Sequence, residues 1–211
     1  MAQRLNLFCS QQDTANITIK KNNIPYSQVV SYYGYLDSSW AAVDTLAGIK
    51  VYYLYFNLPR STGEIGLRMF SPVPEYAFPD KGDIVAKGYY DFIKTNKGYF
   101  DPWITFEHQV ELKSSTPSDS IKQKKEWITF GENDDNEELL AQPSGKKTNA
   151  LVRINSDTTQ FFKTLDAGLY RVGISSLKDT LITGSFVLQI GTSVIQPKMK
   201  ITRTETELLI K

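Results

Sequence analysis

Gly168-Leu169-Tyr170-Arg171-Val172-Gly173-Ile174 decides the fold, and Gly184-Ser185-Phe186-Val187-Leu188-Gln189-Ile190 repeats the pattern. In the first stretch Tyr170, Val172 and Ile174 fall on one face of a strand, with Leu169, Arg171 and Gly173 on the other. A glycine ahead of the Leu-Tyr pair lets the chain turn sharply into a buried strand. The aromatic ring then fills the space between two sheets packed about 10 Å apart. Both stretches therefore read as core strands of a sandwich.

Working outward, Val51-Tyr52-Tyr53-Leu54-Tyr55-Phe56 is aromatic and β-branched and reads as a central strand. Glu64 to Phe70 alternates, with Ile65, Leu67 and Met69 on one face; Pro59 and Gly63 in the intervening link predict a hairpin. Ile17 to Lys20 and Ala150 to Ile154 add further strands. Trp103-Ile104-Thr105-Phe106 recurs as Trp127-Ile128-Thr129-Phe130, which two similar strands joined by the polar stretch Lys113 to Lys125 explain. Pro72, Pro74 and Pro79 break the segment 71–83, and Val73, Tyr76 and Phe78 anchor it as an ordered loop. Ser38 to Ala47, closed by Gly48, predicts a short helix, and Asp157 to Leu165 a turn or two more.

Many short strands bounded by turn residues predict an all-β protein, a single antiparallel jelly-roll-like β-sandwich. Its domain spans 26–192, with an N-terminal extension or strand over 1–25 and a strand or tail over 193–211. The expected core includes Tyr53, Phe56, Leu67, Trp103, Ile104, Val152, Tyr170, Val172 and Leu188.

Composition narrows the function. The 211 residues are 41% hydrophobic and 12% aromatic, enough to bury a sizeable core. Twenty-four Lys and Arg nearly cancel 23 Asp and Glu, and a net charge of +1 gives no reason to bind nucleic acid. Cys9 is the only cysteine and His108 the only histidine, so neither an intrachain disulfide nor a cysteine-rich zinc site is expected. Met1 to Ser10 carries one positive charge and no apolar run of signal-peptide length, and no stretch approaches a membrane span. These features predict a cytoplasmic protein, with a secreted mature chain or another export route as the alternative.

The order of pieces resembles the bacterial pre-peptidase C-terminal (PPC) domains over about residues 30–192. Asp134-Asp135 in a loop, a strand near Val152, Thr164-Leu165-Asp166-Ala167-Gly168-Leu169-Tyr170-Arg171-Val172 and Gly184-Ser185-Phe186-Val187-Leu188 correspond to that family's paired acids, its aGxYxV strand and its closing GxYxL strand. Phe100-Asp101-Pro102-Trp103-Ile104 stands for its aspartate-led first strand, and Phe186 replaces the usual aromatic of the last. The resemblance implies an accessory module without catalytic machinery, some members of which bind calcium. Two departures are the absent export signal and the absence of an attached enzyme.

Glu132-Asn133-Asp134-Asp135-Asn136-Glu137-Glu138 is the richest polar cluster. Calcium takes six to eight oxygen ligands, which Asn133, Asp134 and Asp135, completed by Asp101, begin to supply. The spacing does not match an EF-hand. The competing reading is a solvated turn whose side chains bond the backbone. Tyr32, Tyr33, Tyr35 and Trp40 offer flat rings for stacking on a carbohydrate, or else pack the core. No Gly-x-Ser-x-Gly elbow, Walker loop or dinucleotide fingerprint is present, so an enzyme is not expected. A carboxylate-pair hydrolase leaves no sequence mark and stays as an alternative. Lys122, Lys124, Lys125, Lys146 and Lys147 read as a solvated rim offset by acids. The expected function is a non-catalytic binding or accessory module, with calcium support as one version of it and a protein partner or homo-oligomer. The other alternative is a structural subunit docking through its terminal strands.

Overall fold

The structure, a computed structural model, describes residues 26–40, 44–46, 48–112, 124–160, 162–177 and 182–209. The 1–25 extension, with its strand at 17–20, and most of the 113–125 connection lie outside the described residues.

Among the described residues, eleven strands and two short helices follow in order: β1 (Gln28–Leu36), β2 (Asp44–Leu46), β3 (Ile49–Leu58), β4 (Glu64–Phe70), β5 (Ile84–Val85), α1 (Tyr89–Thr95), β6 (Trp103–Leu112), β7 (Lys124–Asn133), β8 (Ala150–Asn155), β9 (Gly168–Ser175), β10 (Gly184–Thr192), β11 (Ile201–Thr202) and α2 (Glu205–Leu209). One sheet runs β5-β1-β10-β4-β8 and the other β11-β3-β9-β6-β7, with β2 also paired to β3. Apart from the short parallel pair β1–β5, every pairing is antiparallel. This is the all-β sandwich that the alternation predicted.

The core lies between the sheets. From β9, Tyr170, Val172 and Ile174 are fully buried, and from β4 so are Ile65, Leu67 and Met69. Tyr170 stacks on Phe106 at 5.4 Å between centroids and on Phe56 at 5.7 Å. His108 lies flat on Tyr170 at 4.2 Å, extending the aromatic column to the sheet rim. Phe56, Phe106 and Tyr170 come from three adjacent strands, so burial of these rings binds β3, β6 and β9 into one unit.

The two central strands β10 and β4 of the five-stranded sheet are buried on both faces. Every residue of β4 and β10 is buried, because the segment between β4 and β6 folds back over the outer face. There Tyr33 meets Tyr89 of α1 edge-on, and Tyr35 stacks on Phe92 at 4.4 Å. Beside them Arg68 donates from Nε and Nη2 to Gln189 Oε1, and Gln189 Nε2 donates to Ser31 Oγ. Burial pushes the Arg68 guanidinium down to about 10, still charged at neutral pH.

Five local expectations change. β3 and β4 do not form a hairpin; the Pro59 to Gly63 link carries the chain from one sheet to the other. Within the helix expected over 38–47, residues 44–46 are strand β2, paired with β3. Residues 157–160 form a turn rather than a helix. Trp103 is only half-buried, and Tyr53 is buried on the outer face of its sheet, where Arg171 lies 3.8 Å over its ring. The tail is no loose appendage. Ile201 pairs with Phe56 and is buried, while Arg203 Nε donates to the Tyr32 hydroxyl and its guanidinium lies 4.2 Å over the Trp40 ring. The two WITF stretches are neighbouring antiparallel strands, as their recurrence suggested.

Candidate metal centre

Asp101 lies two residues before β6, and Asp134 and Asp135 directly follow β7. Because β6 and β7 pair with Ile104 opposite Asn133, the lead into one strand and the exit from the other meet at the same end of the sheet. One carboxylate oxygen of each of Asp101, Asp134 and Asp135 lies within 4.8 Å of the others. Asp101 and Asp134 are half-buried and Asp135 is exposed. Carboxylate oxygens are the donors that hard divalent cations take. Among the described residues this is the one group of three His, Cys, Asp or Glu side chains close enough to share an ion.

The surrounding hydrogen bonds hold the two aspartate-bearing segments. Asn133, grouped with the aspartates on sequence grounds, accepts from the Leu151 amide through Oδ1 at 3.1 Å and ties the end of β7 to β8. Asn136 turns the loop, its Oδ1 accepting from the Glu138 amide and its carbonyl from Leu139. Further on, buried Gln142 donates through Nε2 to the carbonyls of Phe100 and Ser71, both at 2.7 Å. Its Oε1 accepts from the Thr148 hydroxyl at 2.5 Å. Ser71 closes the network, its Oγ accepting from the Phe100 amide and its own amide donating to Asn149 Oδ1. Sequence reading overlooked Gln142, Thr148 and Asn149, since polar residues flanking a Pro-Ser-Gly turn carry no mark of burial.

The aromatic group lies elsewhere and is packed. Tyr32 stacks on Phe186, Tyr33 abuts Tyr89, Tyr35 lies on Phe92, and Trp40 sits between Phe186, Tyr52 and the Arg203 guanidinium. Exposed rings cluster instead around a cleft of about 520 Å³ lined by Phe78, Tyr90 and Tyr99. His108 sits among Tyr170 and Phe130 and faces Asp166; burial pushes its imidazole below the ordinary range, and Asp166 partly counters this.

The molecule has two poles. Tyr26, the first described residue, donates its hydroxyl to Glu64 at the start of β4, while Ser71, just past the end of β4, touches the segment that carries Asp101. No helix among the described residues is long and apolar enough to cross a membrane.

A family model described as Lipl32, surface lipoprotein of the Spirochaetales order, matches residues 20–201. No curated protein matches the chain. The family match corrects two expectations. The resemblance to PPC domains rested on a glycine-led aromatic strand and an acidic loop, which sandwich physics imposes on unrelated families. The cytoplasmic assignment rested on the first ten residues; the matched family is one of surface lipoproteins, which points to an exported, cell-surface protein rather than a cytoplasmic one.

Proposed function

The chain belongs to the Lipl32 family of spirochaete surface lipoproteins, and we propose that it is a non-catalytic binding module steadied by calcium at Asp101, Asp134 and Asp135. The convergence of those three carboxylates carries the reading. Oxygen donors alone, in a loop that can adjust, suit a hard cation with a flexible coordination shell better than zinc or copper. Asn133 is set apart from this group by its bond to Leu151, so we assign it the task of fixing the loop. Bound calcium would clamp the lead into β6 to the exit from β7 and leave the rest of the sandwich unchanged.

Thermal unfolding tests the calcium reading. A cation bound only by the folded state stabilises it by mass action, so millimolar calcium should raise the melting temperature above that in chelator. The Asp134→Ala/Asp135→Ala double variant should lose the rise. Superimposable melting curves for the unaltered protein in calcium and in chelator would leave only the solvated turn.

A further inference from the structure

We propose that Gln142 is a positioning residue for the metal centre, holding the two aspartate-bearing segments at ligating distance. The proposal rests on the calcium reading above and adds to it a residue that touches no ion.

Gln142 belongs to the same loop as Asp134 and Asp135, seven residues beyond the second. Its side-chain amide crosses to the other segment and donates to the Phe100 carbonyl, which is half of the peptide unit leading into Asp101. One side chain therefore joins both halves of the centre. The same Nε2 donates to the Ser71 carbonyl, so both amide hydrogens are used, and the Thr148 hydroxyl fixes the orientation by donating to Oε1. Backbone bonds from Gln142 N to the Lys146 carbonyl and from Gly145 N to the Gln142 carbonyl close a turn that presents the side chain inward. Downstream of Asp101, Pro102 limits the backbone and Trp103 enters β6. The aspartate is thus fixed on one side by the strand and on the other by Gln142. Outer groups that orient metal ligands typically change affinity 10–100-fold when removed.

Calcium titration by calorimetry on the full chain tests this with three variants. Gln142→Met keeps the length and loses both donors; Thr148→Val frees the amide to rotate. Ser193→Ala is the control at the other pole, where Ser193 Oγ accepts from the amides of Gly63 and Glu64. All three should lower the melting temperature in chelator. Only the first two should weaken calcium binding, Gln142→Met by about 10–100-fold and Thr148→Val by less. Should Gln142→Met fail to fold without metal, Thr148→Val still carries the test through its own loss of affinity. Unchanged affinity in a folded Gln142→Met, or an equal loss in Ser193→Ala, overturns the proposal and leaves the calcium centre standing. No calcium binding by the unaltered protein overturns both.

Discussion

His108 shows how one residue can make stability depend on pH. The imidazole lies flat on Tyr170, meets Phe130 edge-on and is half-buried. Burial lowers its pKa below the ordinary 6.5, with Asp166 partly opposing. The folded state therefore holds the proton less tightly than the unfolded chain. Its contribution is intact above about pH 6.5 and is lost as pH falls through the folded-state value. The His108→Phe variant keeps a flat ring on Tyr170 and removes the titration. Denaturant midpoints measured between pH 7.5 and 5 should fall for the natural protein and stay flatter for the variant. Parallel curves would mean that other groups carry the acid sensitivity.

At the scale of elements, the tail is the decisive case. Residues 193–211 were read as a strand or tail outside the sandwich domain, and β11 and Arg203 join this segment to both sheets. Gln196, fully buried, accepts from the Arg60 amide and donates its own amide to Gln28. Deleting 196–211 removes these bonds together with Met199, Ile201 and the Arg203 contact. The truncated chain should lose at least several kcal/mol, on the scale of a buried Ile plus a cation–π contact, or fail to fold. A truncation with an unchanged urea midpoint would return the tail to a purely external role. The difference between reading and structure has a physical cause. Alternation is local, so β4, β9 and β10 were legible as strands, and in β4 and β9 the alternating faces were legible too. Strand partnership is not local, so the supposed β3–β4 hairpin became a crossing between sheets. The two-sided burial of β4 depends on a proline-broken loop covering it, which no period within β4 can announce. In the candidate metal centre Asp134 and Asp135 were legible as a pair, and Asp101 was placed beside them through the family-like order of strands. Gln142 was invisible because only tertiary contact buries it.

For the whole molecule, the sandwich class followed from strand count and spacing, whereas the cellular address came only from family membership. The two poles give the molecule a direction. The described chain starts beside Glu64, and the aspartates gather past the other end of β4, roughly 20 Å away at about 3.4 Å per residue. The two ends of β4 thus belong to separate neighbourhoods, Tyr26 and Glu64 at one and the aspartate-bearing segments at the other, so a substitution at one end is insulated from the other by the length of a fully buried strand.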